Sequence, residues 1–416
     1  MPQIRVIDYQ KRETKKNRDN LNINKSNNSL KNYFFSKLKI SNKYFFSFYN
    51  FLYGLKQEIK IQKNLNLKAE LLLENEKPDL LVLLNDQRVD LELFLITASK
   101  RKNIATVLLN VFWIGDIYQA AQLQHFRQIK GVVNREPDWL IAIAKFIFPK
   151  TVINYGGSNI MFSHPFKNLI GLYYGIKPST PLNRGQYVDL VIITSQNQKK
   201  VFEKNGIKNS KLVLAGEPQN DKLFHLRKKK DEIIKSLYKD LIINNSANII
   251  TIASSNPGFI PKKKDKDYHR IIKHLLDIHP TIFIFFKPHP QEEMDFDYLE
   301  NISSRVKVIN NQIDEIIMCS KLFITRGSST LIKAVLLGVP SISFDFHHEN
   351  IGKRYPYSAS VEQSNNLLEI KEKAESLLFN SNKRGQVINQ QRKAIDEYAI
   401  FDGKCIDRII NTLIKV

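Results

Sequence analysis

From Asn248 onward, short apolar runs alternate with segments whose apolar residues recur at helical spacing. Runs of this length, rich in Ile and Phe and bounded by polar turn formers, predict buried strands at 248–253, 281–286, 306–309, 322–325 and 340–345. Between them the spacing predicts helices at 266–278, 294–301, 313–320 and 329–337. Strand–helix alternation of this regularity implies a doubly wound parallel sheet. The runs 281–286 and 322–325 are expected to be neighbouring strands, and each ends abruptly in chemistry. The first delivers Lys287-Pro288-His289-Pro290, and the second delivers Arg326-Gly327-Ser328-Ser329-Thr330. Carboxyl ends of strands are where open α/β sheets bind ligands. A helix starting at Ser328 or Ser329 would offer unpaired amides and a hydroxyl to an anion, so the expected guest is a phosphate.

The preceding half reads less regularly. The stretch KPDLLVLLND, the helical spacing of Leu91 to Lys100 and the run NIATVLLNVFW make a β-α-β unit with parallel strands. Its first strand ends at Asn85, Asp86 and Arg88, where a carboxylate could serve an acceptor or cap the next helix at Asp86 or Asp90. Further on, DWLIAIAKFIFP reads as a helix and NYGGSNIMFSHP as a glycine-containing loop that carries His164. A strand at Tyr187–Ser195, a helix ending near Gly206, and KLVLAGEPQNDKL with a turn at Gly216–Pro218 complete this half. The charge run Arg227–Lys230 and the fresh strand pattern at Asn248 set a boundary between 222 and 246. The expected division is a basic mobile tail at 1–30, an acceptor-side domain at 31–225, a donor-side domain at 226–390 and a helix at 391–416 packing back on the first domain. From Asn32 to Lys60, aromatics interleave with lysines. That pattern fits helices covering a sheet or a helix pair lying on a membrane.

Composition narrows the class. A chain of 416 residues with 43% hydrophobic content has ample core for two domains. Its net charge of +22 favours anionic partners such as nucleotides, acidic glycans or lipid headgroups, although an AT-rich genome would also enrich the lysines. Cys319 and Cys405 form no CxxC or Cys/His cluster, which argues against a structural zinc and fits a reducing compartment. No apolar run approaches the roughly 18 residues of a spanning helix, and the amino terminus lacks a signal-peptide core. The expected location is therefore cytoplasmic, with the inner membrane face as a resting surface. No helix-turn-helix, RNP or zinc-finger pattern supports nucleic-acid binding.

Four segments resemble GT-B glycosyltransferases: TSQNQKKVFEKNGIKNSKLVLAGEPQNDKL, IASSNPG, FKPHPQEE and ITRGSSTLIKAVLLGVPSISFDF. The pairing of a His-Pro element with a Ser-Ser turn is most similar to bacterial surface-polysaccharide enzymes, including capsule sialyl- and Kdo-transferases and teichoic-type glycerophosphotransferases. The resemblance implies two Rossmann-like domains facing across a cleft and a metal-independent, inverting transfer. It implies that His289, Ser328, Ser329 and Thr330 contact donor phosphate, with Asn256 in the first turn of the donor half. Lys287 and Arg326 would add charge there, or pair with Glu292, Glu293 or Asp345. The sequence shows no DxD-like carboxylate pair in a plausible donor loop, and the run His347-His348-Glu349-Asn350 resembles a metal-ligand set only superficially. Asp86 is the first candidate for catalytic base and His164 the second. The expected donor is a nucleotide-activated sugar, CMP-linked in preference to UDP- or CDP-linked, with no separate cofactor. The expected acceptor is a glycan or lipid-linked molecule. The alternatives are a CDP-alcohol glycerophosphotransferase, a UDP-sugar 2-epimerase and an inactive scaffold. Two positions depart from the family: Lys333 stands where many relatives carry a ribose-gripping carboxylate, and Asn110-Val111-Phe112 stands where they carry a His-Gly turn.

Overall fold

The computed structural model describes residues 43–86, 90–110, 117–129, 131, 135–176, 184–240, 247–254, 265–290, 295–310, 312–346 and 356–416. Two compact units emerge, residues 1–60 and 61–416. Helix α1 (Lys43–Glu76) runs through the boundary, and everything below concerns the second unit.

That unit contains two parallel sheets. The first has the order β1-β2-β5-β6, built from β1 (Leu80–Leu83), β2 (Ala105–Leu109), β5 (Leu190–Ile193) and β6 (Leu212–Leu214). Helix α2 (Leu91–Arg101) makes the expected crossover from β1 to β2, burying Leu93, Phe94 and Ile96 with Ala69 of α1, Leu108 and Val191. Between β2 and β5 the chain inserts α3 (Ile117–Ile129), α4 (Asp138–Ile147), an antiparallel hairpin of β3 (Val152–Tyr155) and β4 (Ser158–Met161), and α5 (Pro165–Tyr173). The hairpin replaces the loop expected for NYGGSNIMFSHP. Gly156 and Gly157 take φ of +57° and +75°, the left-handed pair that a two-residue turn between twisted strands requires.

After α6 (Gln196–Lys204), β6 leads into α7 (Pro218–Lys228) and α8 (Lys230–Asp240). The second sheet then has the order β12-β11-β10-β7-β8-β9. Its strands are β7 (Asn248–Ala253), β8 (Ile282–Lys287), β9 (Val306–Val308), β10 (Leu322–Thr325), β11 (Ser341–Phe344) and β12 (Glu362–Ser364). Numbered from β7, this is the 6-5-4-1-2-3 order of a Rossmann sheet, with its switch point between β7 and β10. The expectation that 281–286 and 322–325 are neighbours is therefore corrected: β7 lies between them, pairing Ala253 with Lys287 on one side and with Thr325 on the other. All six residues of β7 are buried, as its unbroken run NIITIA requires of a central strand.

Helices α9 (Asp265–Leu276), α10 (Ile313–Cys319), α11 (Leu331–Leu336) and α12 (Leu367–Phe379) surround this sheet. On one face, Ile250, Ile252, Phe286 and Phe344 pack with Ile271 and Leu275 of α9 and Leu377 of α12. The segment expected as a helix at 294–301 is a 3-10 turn, Asp297–Ile302, and β12 was not expected.

Helices α13 (Ser381–Tyr398) and α14 (Cys405–Leu413) end the described chain. Ile409 of α14 packs on Val107, Ile192 and Ala215 of the first sheet. Asp221 of α7 caps α14: its carboxylate oxygens accept from the backbone N–H groups of Cys405 (2.9 Å) and Ile406 (2.8 Å). Arg408 Nε donates to the Ala215 carbonyl at 2.8 Å, and Asn220 Nδ2 donates to that of Ile400 at 3.1 Å. Gly216 has φ +93°, and a Cβ there would sit 2.4 Å from the Cys405 sulfur. Only glycine fits this close approach.

Candidate active site

Three strand ends of the second sheet meet at its switch point. Strand β8 runs one residue beyond expectation, so Lys287 closes the ladder before Pro288 ends it. Ser254, just past β7, clamps the exit of β8 twice. Its N–H donates to the Lys287 carbonyl (3.0 Å), and its buried Oγ accepts from the His289 N–H (2.7 Å). The His-Pro element is thereby pinned through its backbone, leaving the imidazole outside this clamp. Burial, then the neighbouring Lys287 charge, hold the His289 imidazolium below its ordinary pKa, so the ring is neutral near pH 7. Burial likewise lowers Lys287.

On the other side of β7, β10 delivers Thr325 and Arg326 fully buried, and Gly327 turns the chain with φ +85°. Ser328 Oγ accepts from the Thr330 N–H (3.3 Å) and bonds the Thr330 hydroxyl (2.9 Å). Helix α11 begins only at Leu331, later than the expected start at Ser328 or Ser329, and it is six residues long. The Ser-Ser turn is therefore a hydroxyl-lined loop rather than the first turn of a long helix. Ser329 is its exposed member. Asn256, Arg88, Glu292, Glu293 and the run from His347 to Arg354 lie outside the described residues.

Lys333, in the first turn of α11, is tied into a charge cluster. Its Nζ donates to Asp314 Oδ1 of α10 at 2.6 Å. Lys222 of α7 stands 3.8 Å from the other Asp314 oxygen and donates to Gln312 at 2.6 Å. Glu217, in the turn after β6, belongs to the same group: burial raises its carboxyl while the Lys333 charge opposes the shift. Position 333 thus holds a cation between carboxylates rather than a carboxylate. Ser254, Glu217 and Asp314 were not singled out from sequence. The first two lie in quoted motifs, IASSNPG and GEPQND, whereas nothing local marks Asp314.

The expected base candidates sit in the first half, and both are engaged structurally. Asp86 is 1% exposed, just beyond the end of β1. Its Oδ2 accepts from the Gly185 N–H at 2.6 Å, and Oδ1 lies 4.0 Å from Arg184 Nε. Burial raises its carboxyl from 3.8 to about 6, against the Gly185 bond and the Arg184 charge. Its carboxylate faces the Arg184–Gly185 backbone, and Asp90 rather than Asp86 occupies the cap position of α2. His164 is the N-cap of α5: its Nδ1 accepts from the Phe166 N–H at 3.3 Å. Asn110 is buried, its N–H donating to the Ile192 carbonyl at 3.0 Å.

Among the described residues, Asp221, Asp402 and Cys405 are close enough together to hold a metal ion. Their donor set does not fit one. Asp221 is spent on the α14 cap, Asp402 pairs with Arg408 at 2.7 Å, and burial pushes the Cys405 thiol up to about 12.

The two-sheet architecture has solved counterparts. The UDP-GlcNAc 2-epimerase from Neisseria meningitidis, solved with UDP-GlcNAc, aligns at 14% identity over 85% of this chain and 81% of its own, with a TM-score of 0.50. A putative UDP-N-acetylglucosamine 2-epimerase from Listeria monocytogenes aligns at 12% over 85% and 79%, also at 0.50. These likenesses define the fold as GT-B-like α/β with parallel sheets. The wall teichoic acid polymerase TagF aligns at 17% identity and a TM-score of 0.42, over 57% of this chain and 61% of that one. The chain therefore spans less than two thirds of that polymerase. At the level of family, residues 176–354 match the model of CDP-glycerol:poly(glycerophosphate) glycerophosphotransferases, a range that includes β5 to β11. A comparison with curated protein sequences finds no match.

Proposed function

We propose that the chain is a transferase that takes a nucleotide-activated donor and builds a cell-surface polymer, with a CDP-linked glycerol donor as the leading case. The observation that carries this reading is the Ser254 clamp, which fixes the His-Pro element at the switch point across β7 from the Arg326–Thr330 turn. Departure of a nucleotide leaves charge on phosphate, and preorganised donors aimed there lower the barrier. Arg326 and Lys287 would supply positive charge, the Ser328, Ser329 and Thr330 turn would supply hydroxyls and amides, and His289 would donate one N–H from its neutral ring. With these groups the donor phosphate would be held without a metal. The family match over 176–354 favours glycerophosphate as the transferred group and CMP as the released nucleotide.

A second reading, transfer of a CMP- or UDP-linked sugar with inversion, uses the same site and is favoured by the GT-B-like architecture alone. An epimerase has less support, because Lys333, paired with Asp314, stands where a carboxylate would be needed. Product analysis separates these. Incubation with CDP-glycerol and a membrane-anchored glycerophosphate acceptor should release CMP and lengthen the acceptor. Release of nucleotide from a sugar donor only, or interconversion of free UDP-sugars, would replace the leading case. The proposed place of work is the cytoplasmic membrane face, where a lipid-linked acceptor would be presented.

A further inference from the structure

The insertion between β2 and β5 carries an apolar surface that nothing described above uses. On α4, Trp139, Ala142 and Phe146 recur at i, i+3 and i+7 on the exposed side, while Leu140, Ile141 and Ala144 face inward. Phe146 is 90% exposed. On α5, which packs against α4, Leu169, Leu172 and Tyr173 are exposed while Phe166, Asn168 and Ile170 are buried, and Tyr173 is 84% exposed. Both helices are therefore apolar on their outer as well as their inner sides. Exposed large side chains are ordinary one at a time, but stripes on two adjoining helices mark an interaction surface.

We infer that the outer stripes of α4 and α5 rest on an anionic lipid surface. Three observations choose this occupant. Exposed Lys145 and Lys150 flank the stripes, together with half-exposed Lys167, which stands 4.0 Å from Asp90, and the acidic Asp138 is paired with Arg135 at 2.8 Å. Aromatic rings bordered by lysine stems suit the headgroup boundary, where rings enter the acyl edge and ammonium groups meet phosphates. A second copy of the chain is disfavoured because each copy carries +22. None of the described helices is long and apolar enough to cross a membrane, so the contact is one of lying on the surface. The surface sits on a different segment from Asn32–Lys60, the stretch whose pattern first suggested membrane contact. Together with the proposed function it would bring the enzyme to a lipid-linked acceptor, but it stands on its own geometry.

The test uses the full chain and sedimentation with vesicles of equal parts phosphatidylcholine and phosphatidylglycerol. The wild type should pellet with these vesicles and not with pure phosphatidylcholine. The double variant Phe146→Ser, Tyr173→Ser should lose about tenfold or more in vesicle affinity, with an unchanged melting temperature because both rings are exposed. A second variant, Lys145→Glu, Lys150→Glu, should lose the preference for the anionic vesicles. Release of CMP from CDP-glycerol with a detergent-soluble acceptor should be the same in wild type and both variants, so a failed donor reading and a failed lipid reading give different results. Unchanged vesicle binding by the double serine variant would overturn the inference in favour of another segment. Concentration-dependent dimerisation that the same variant abolishes would overturn it in favour of a second copy.

Discussion

The carboxyl ends of the two sheets occupy the same topological position and are employed in opposite ways. In the first sheet, the Asp86 carboxylate turns back into the protein, where it accepts from the Gly185 N–H and faces Arg184. In the second sheet, the ties include the backbone N–H of His289 and both the N–H and the hydroxyl of Thr330. Ser254 takes the His289 N–H, the Ser328 hydroxyl takes that of Thr330, and Ser329 is exposed. At Asp86 the carboxylate itself ties two segments together, whereas at His289 the tie is made by the backbone N–H.

The sharpest way to break this contrast is to remove each end's central group. Asp86→Ala leaves the Arg184 guanidinium buried without its counter-charge, which should lower unfolding free energy by about 3–5 kcal/mol in denaturant titration. An unchanged midpoint would mean that Asp86 is no tether. His289→Ala keeps the backbone bond to Ser254, so the melting temperature should hold while transfer falls about 100- to 1000-fold. Collapse of the fold, or full activity, would each contradict the division of labour.

A gentler probe titrates the tether. The unfolded Asp86 carboxyl has the ordinary value of 3.8 and the folded one is raised to about 6 by burial. The folded chain therefore holds that proton more tightly, so the associated stability is fully present below pH 3.8 and is lost as pH rises through about 6. The swing is on the order of 3 kcal/mol, and Asp86→Asn should flatten this part of the stability profile. A parallel profile in the variant would move the titration to another group. The smallest effect is expected at the clamp. Ser254→Ala leaves the His289 N–H without its acceptor, costing about 1 kcal/mol and lowering kcat/KM about tenfold, readable in steady-state rates at fixed donor.

Much of the second half was legible because its strands are continuous apolar runs: the run 322–325 matches β10 residue for residue, and 248–253 matches β7. Strand order was not legible. Local pattern says that a run is buried, but which run is most central depends on long-range pairing, and so β7 was missed between β8 and β10. The hairpin at Val152–Met161 was hidden because Asn154, Asn159 and Ser158 dilute its alternation, although the Gly156-Gly157 pair was a usable turn signal. At the site, the residue types and their strand ends could be read in advance. The clamp by Ser254 and the partnership of Lys333 with Asp314 could not, since each joins segments that only the folded sheet brings together.

The α14 cap also says something about synthesis. Arg408 and the Ala215 carbonyl it grips are 193 residues apart, with the whole second sheet made in between. At the usual pace of roughly 5–20 residues per second, the face of the first sheet around Val107 and Ile192 stays without its covering helix for about 10–40 s of translation. The first module is begun early and closed late, so for that interval the nascent chain carries an apolar face that a chaperone or a neighbouring chain could occupy.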